Sequence, residues 1–433
     1  MIKAKVPSYF KTRRNDLMAK NKGGVFVLPG NHHVFRNPDV EYPFRQESNA
    51  YYLTGYDEAE SWIVITPSKF VMFVREKNAE REMWEGQRYG IDGAKSVFGA
   101  DEAYPVSELK NKLPELLKSS DTVFYRTGMN SNNDSVVLEA MEKVRISLGR
   151  SGKSLQNIED PGRFIGEMRI FKTAEEVELL KKACSISAHA QKAAMSFAKP
   201  GLNERDVAAY VDYELLRNGC ERVGYGSIIA GGKNATCLHY RENNEPLKDG
   251  DLLLIDAAGE YDYYTSDITR TFPIGREFTK PQAKLYDALL KVQKETIAII
   301  KPGIAYKSIH EFSVNALTDA FLSLGLLKGS KKEIVEKLEF KRFFPHGTSH
   351  LLGMDVHDVG LYMINGESRK LEAGMVFTIE PGIYIQPGDD TAPSEYKNLG
   401  MRIEDDILVT KTGYENLTQE APKEREEIES LKK

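Results

Sequence analysis

The chain has 433 residues, 41% of them hydrophobic and 28% charged, with a formal net charge of -5 and a pI near 6.0. That length suits two or three domains, each large enough to bury a core. The mild acidity gives no electrostatic reason to bind nucleic acid or an anionic membrane, and no run of roughly 18 apolar residues offers a membrane span.

Met1–Pro7 leads straight into charged Lys11–Asp16 without the apolar stretch of a secretory signal. Cys184, Cys220 and Cys237 are odd in number and lack CxxC spacing, as expected of reduced thiols in a cytoplasmic protein. Residues 1–160 read as an accessory α/β domain. Short β-rich runs at Gly24–Pro29, Ser61–Pro67 and Phe70–Val74 alternate with charged helical patterns, which predicts a mixed sheet with helices packed on it. Asn31-His32-His33 follows Pro29-Gly30 and reads as a solvated loop. Arg45–Gly55 reads either as a substrate-facing or interface segment or as a strand entering a turn at Gly55. The composition shift at Asn157–Gly162 marks the linker, and residues 161–433 form the second domain.

Thr173-Ala174-Glu175-Glu176 is a capping-box pattern opening a helix to about Ala194, closed by Pro200-Gly201. Further helices begin near Asn203–Asp206 and near Pro281, the latter ending before Pro302-Gly303. The charged stretch Pro422–Ser430 reads as a solvated helical cap.

Between these helices lie the acids. Asp251–Asp256 is an apolar strand ending in a carboxylate, and Tyr264–Arg270 returns after a polar turn. With Tyr261-Asp262 as the turn, Asp256 and Asp267 face each other, which is destabilising unless a cation lies between them or one carboxyl is neutral. Val376–Gly382 delivers Glu380 in the same way, with Pro381 biasing it to extended backbone. Met401–Ile407 places Glu404 in another strand. Arg402 shares its face and either braces Glu404 or neutralises the site from behind, while Asp405 points the other way. His346 and His350 are four residues apart, on one face in either helix or strand, and His357 follows.

Asp256, Asp267, His350, Glu380 and Glu404 thus make four carboxylates and one imidazole, in or beside strands whose apolar content implies burial. Buried carboxylates must be paired, protonated or neutralised by cations. Two divalent ions would neutralise them, and an oxygen-rich set with one nitrogen favours Mn²⁺ or a similar first-row ion over a thiolate-type zinc site. Two such ions roughly 3.5 to 4 Å apart hold a bridging hydroxide and polarise a carbonyl, the machinery of metal-assisted hydrolysis. His239, His346 and His357 would then serve the scissile carbonyl, the developing oxyanion or the leaving nitrogen.

From Glu167-Met168-Arg169-Ile170-Phe171-Lys172 onward the chain resembles the aminopeptidase P branch of the pita-bread metallopeptidases. The resemblance is carried by LHYREN from Leu238, IDAAGEYDYYTSDITRTFP from Ile255, HGTSHLLGMDVHDVG from His346, TIEPGIYI from Thr378 and MRIEDDILVT from Met401. In the first half it is carried by YPFRQESNAYYLTG from Tyr42 and MWEGQRYG from Met83. It implies an α/β (α+β) protein, a mixed-sheet accessory domain followed by a pita-bread catalytic domain. It implies Asp256, Asp267, His350, Glu380 and Glu404 as dinuclear ligands, with Glu380 also a proton shuttle and His239, His346, His357 and Arg402 around the substrate. Tyr384 is either part of that pocket or a packed strand aromatic. The implied reaction removes the first residue from peptides with proline second. The implied assembly is a homodimer or homotetramer, with Trp84 and Arg88 as candidate contacts. The rivals are an Xaa-Pro dipeptidase, disfavoured by the segment Gln386–Lys397, and a non-catalytic scaffold, disfavoured by the complete ligand set.

Overall fold

In a computed structural model, which describes residues 5–20, 23–118, 120–150 and 155–432, the chain divides into two compact units, Met1–Gly166 and Glu167–Lys433. Met1–Ala4, the start of the charged N-terminal stretch, lies outside the described residues. The first unit is built on a six-stranded sheet ordered Glu102–Pro105, Phe70–Val74, Trp62–Ile65, Val25–Pro29, Thr122–Phe124, Asn157–Glu159. Its three central strands pair antiparallel and the outer ones join in parallel, the mixed sheet expected. Phe70–Val74 is buried at every position, which is why it reads as an unbroken apolar run without alternation.

Two expectations change in this unit. Asn157–Glu159 is the edge strand of the sheet, so the composition shift there marks a sheet edge and not a linker. Ser48–Thr54 is a helix, not the strand that Tyr51 and Tyr52 suggest. Glu47 accepts from the Ala50 N–H at its start, and Gly55 closes it in the left-handed region at φ 68°. The caps decide over side-chain β preference. Asn31 and His32 are exposed as expected, and His33 pairs with Glu41 at 3.2 Å.

The second unit opens with the helix Ala174–Phe197, begun by the capping box of Thr173 and Glu176. Asn203 and Asp206 repeat the device at Glu204–Arg217. The helices Lys280–Ala298 and Lys307–Ser323 follow. One core joins these layers to the strands: Ala190 and Ala194, Leu253 and Ile255, Leu285 and Leu289, Phe321, Ile383 and Met401 belong to a single buried cluster. Each fully buried Leu, Ile or Phe there contributes roughly 1.5–3 kcal/mol. The closing helix Arg425–Leu431 is not merely a solvated cap, because Ile428 is fully buried in that core and Lys423 pairs with buried Asp405.

The strands lie in short antiparallel groups. Leu252–Asp256 runs between Ile228–Gly231 and Thr269–Pro273, and Asp405–Val409 between Val376–Ile379 and Tyr414–Asn416. Gly382–Tyr384 pairs with Gly400–Arg402. The hairpin after Asp256 corrects the expected register. Its turn is Asp262-Tyr263, both left-handed at φ 44° and 69°, one residue later than Tyr261-Asp262. Asp256 therefore faces Thr269, not Asp267. The ladder is interrupted just beyond Asp256, and buried Gln191 donates its Nε2 to the carbonyls of Ala257 at 3.1 Å and Ile268 at 2.9 Å. The Ile268 carbonyl also accepts from Ala257 N–H at 3.2 Å, so the helix side chain ties down the hairpin at the level of both acids. Glu404 likewise lies between two strands and not within one. Its N–H donates to the Thr269 carbonyl at 3.1 Å.

Candidate metal centre

Strand ends and breaks deliver the acids to one place. Among the described residues, Asp267, His350 and Glu404 offer ligand atoms that all lie within 4.8 Å of one another. His350 Nε2 is 3.3 Å from Asp267 Oδ2 and 3.5 Å from Glu380 Oε1, which brings the acid after Val376–Ile379 into the same group. Asp256 joins through a residue that sequence reasoning missed. The Tyr225 hydroxyl is 2.7 Å from Asp256 Oδ1 and 2.6 Å from Asp267 Oδ1. Tyr225 stands between Gly224 and Gly226 in a loop, where no periodicity announces it.

Of the two roles open to Arg402, the geometry supports the second. Its Nη2 pairs with Asp256 Oδ2 at 2.6 Å, not with Glu404. It reaches Glu404 only through Thr269, whose hydroxyl accepts from Arg402 Nε at 3.0 Å and donates to Glu404 Oε2 at 2.5 Å. Asp405 points away, as expected, into an ion pair with Arg270 Nη2 at 2.6 Å.

Four acids share this volume with Arg402 and His350, and burial first, then like charge, pushes three of them, Asp256, Glu380 and Glu404, upward. Burial, followed by the charges of Asp267, Glu380 and Asp256, holds the Glu404 carboxyl far above the ordinary carboxylate range. Burial raises Glu380 to about 7 although His350 and Arg402 oppose it. Burial raises Asp256 as well, against Arg402. Burial alone would lower His350, yet its hydrogen bond to Asp267 and the charges of Asp267 and Glu380 take it up to about 9. Such a cluster draws in positive charge, as protons or as metal ions. The donor chemistry fits a cation. His350 Nδ1 is 3.1 Å from the Leu351 carbonyl, which can only accept, so Nδ1 carries the hydrogen and Nε2 turns toward the acids. A ring nitrogen anchored to a carbonyl while the other faces carboxylates is the usual setting of a metal-binding imidazole.

His346 has other partners. Its Nδ1 donates to the Gly347 carbonyl at 2.7 Å, and its Nε2 is 2.9 Å from the Tyr384 hydroxyl. Arg402 Nη1 donates to that same hydroxyl at 2.9 Å. Burial, then Arg402, pushes His346 down to about 3, so this imidazole is neutral. Tyr384 is packed, with its ring buried, and its hydroxyl links Arg402 to His346. The His357 ring lies edge-on to His350 at 4.4 Å between centroids. His239 is exposed on the loop after the turn Gly232–Thr236, near enough for its charge to act on both His346 and His357.

Fold and site together define the class of this chain, a metallopeptidase. The model of metallopeptidase family M24 matches residues 178–411, and that of the aminopeptidase P N-terminal domain matches residues 10–125. The chain belongs to metallopeptidase family M24. It is 39% identical over 437 residues to the Xaa-Pro aminopeptidase of Escherichia coli strain K12, covering 98% of this chain and 97% of that protein. Human Xaa-Pro aminopeptidase 3 is 33% identical, covering 98% of this chain and 85% of the relative. The structure of Pseudomonas aeruginosa aminopeptidase PepP matches with a TM-score of 0.96 and 40% identity over 99% of each chain. Zinc-substituted Escherichia coli aminopeptidase P in complex with product matches at 0.94 and 37%, covering 99% of this chain and 98% of that one. The fold is that of these aminopeptidase P structures, the pita-bread fold.

Proposed function

We propose that this chain is a metal-dependent aminopeptidase that removes the first residue from peptides whose second residue is proline, with residues 161–433 as the catalytic domain and 1–160 as the accessory one. The observation that carries this reading is the convergence of Asp267, His350 and Glu404 with Glu380 and Asp256 in a buried group that draws in positive charge. These five side chains would hold two divalent ions, and their oxygen-rich donors suit Mn²⁺. When bound, the ions would polarise the scissile carbonyl and lower the pKa of the attacking water.

The chain's own residues supply the rest. Glu380, 3.5 Å from His350 Nε2 through Oε1, would take up the proton of the attacking water and pass it to the departing proline nitrogen. His346 Nδ1 lies 3.6 Å from Glu380 Oε2 and stays neutral, so it does not compete for that proton. Arg402 and Tyr384 fix its ring. His239 and His357, both exposed beside the acids, offer N–H groups to the substrate carbonyl and the developing oxyanion.

Trp84, 83% exposed beside equally exposed Met83, supports assembly as a homodimer or homotetramer that covers this apolar pair. The three free cysteines support a cytoplasmic setting. No helix of the described residues is long and apolar enough to cross a membrane. The test compares Gly-Pro with an Xaa-Pro-Pro tripeptide in the presence of Mn²⁺. Release of the first residue from the tripeptide supports the proposal, and hydrolysis of the dipeptide alone transfers the chain to the prolidase reading.

A further inference from the structure

We propose that Arg169 and Lys172 are positioning residues for His357, acting through Asp358; the proposal rests on the reading that His357 meets the substrate. Asp358 is buried and receives two buried cations, Arg169 Nη2 at 2.5 Å on Oδ1 and Lys172 Nζ at 3.1 Å on Oδ2. Arg169 Nη2 also reaches Asp355 Oδ2 at 2.7 Å. The segment that opens the catalytic unit thus grips both ends of the turn Asp355–Asp358.

That turn has no regular secondary structure to hold it. It closes on itself through Asp358 N–H to the Leu351 carbonyl at 2.9 Å and Gly353 N–H to the Asp355 carbonyl at 3.2 Å. The Gly353 carbonyl accepts from Thr265 N–H at 3.0 Å, two residues from Asp267. A Cβ at Gly353 would lie 2.2 Å from Asp358 Oδ2 and 3.1 Å from Lys172 Cε, so the carboxylate and the lysine stem fill the space that the glycine leaves. His357 is exposed and adjoins this locked carboxylate, and the ring contact with His350 follows from the lock.

Burying three charges together is a poor route to stability, because an apolar replacement of similar shape is often as stable. What the arrangement gives is one defined place for the turn, and therefore for the imidazole it carries. Lys172 is fixed at both ends, its N–H on the Gly374 carbonyl at 2.9 Å and its Nζ on Asp358.

A double-mutant cycle in the full metal-loaded chain separates positioning from bulk stability. Lys172→Met leaves Asp358 paired with Arg169, so the carboxylate keeps a cation. It should lower kcat/KM for an Xaa-Pro-Pro peptide about tenfold in the parent, and by less than about twofold when His357→Ala is already present. A second readout needs no turnover: in histidine-labelled protein loaded with diamagnetic Zn²⁺, Lys172→Met should shift or broaden the His357 ring signal, assigned by its loss in His357→Ala, and leave that of His189 in place. Equal losses in both backgrounds, or a His357 signal that does not move, overturn the proposal. If His357→Ala alone keeps parental kinetics, the substrate role of His357 falls and with it the positioning role in catalysis, whatever the ring signal does.

Discussion

Replacing Tyr384 by phenylalanine tests the linkage between Arg402 and His346 with a single atom. The hydroxyl takes a hydrogen from Arg402 Nη1 and meets His346 Nε2, each at 2.9 Å, and the residue is 1% exposed. Without it, Arg402 keeps Asp256 and Thr269 but loses a charge-assisted bond, worth about 1.5–3 kcal/mol. His346 loses the contact that orients its ring beside Glu380. If that orientation is needed in the transition state, kcat/KM falls about 10- to 150-fold, with metal content unchanged because no proposed ligand is touched. Gly382 offers an independent perturbation of the same hydroxyl, since a Cβ there would lie 2.4 Å from it. Gly382→Ala should reproduce the kinetic loss with the phenol still present. Initial rates on a fluorogenic peptide with proline second, beside metal analysis of each variant, make the assay. A Tyr384→Phe enzyme within about twofold of the parent in kcat/KM, at equal metal content, would refute the reasoning.

Other consequences follow from the framework around the site. Arg270 is fully buried and donates to Asp405 Oδ1 at 2.6 Å, the Glu404 carbonyl at 2.5 Å and the Pro422 carbonyl at 3.0 Å. Arg270→Met should cost about 1–3 kcal/mol, because the Glu404 and Pro422 carbonyls lose their donor while Asp405 keeps its ion pair with Lys423, read as a fall in Tm of a few degrees. Gly400→Ala would set a Cβ 2.1 Å from the Ala235 carbonyl oxygen, a backbone clash that should give insoluble or markedly destabilised protein in a thermal melt. Asp389 is held down to about 2, first by its hydrogen bonds from Arg342. A depressed carboxyl stabilises the fold above its unfolded pKa, and that contribution is lost as pH falls from about 4 toward 2. Asp389→Asn should therefore lower Tm at pH 6 by more than at pH 3. A deficit that does not shrink with acid would show that the charge is not the cause.

Much of the catalytic unit was legible because its signals are local. The capping boxes at Thr173 and Asn203 are spelled in four residues, and apolar strands ending in Asp256 or Glu380 announce acids carried into a core. What was not legible depends on where backbones depart from a repeating pattern. The Asp262-Tyr263 turn places a bulky tyrosine in the left-handed region, which no turn preference anticipates, and that single step moved Asp256 opposite Thr269. The partner of Arg402 was hidden for a related reason: Glu404 lies in a break between strands, so a two-residue alternation could not predict its direction. Tyr225 and Gln191 approach the acids from a loop and a helix distant in sequence, and only packing brings them there. In the first unit, Glu47 and Gly55 did spell a helix, but the tyrosines between them spoke for a strand.

The most direct test of the metal-dependent reading is the number of divalent ions bound per chain, measured together with activity as a chelator removes them and Mn²⁺ is returned. The site predicts two ions per chain in the active protein, loss of Xaa-Pro-Pro cleavage on chelation and its recovery with Mn²⁺, with Glu404→Ala reducing both metal content and rate. Protein that takes up no divalent ion, or that cleaves the peptide equally well after complete chelation, would contradict it.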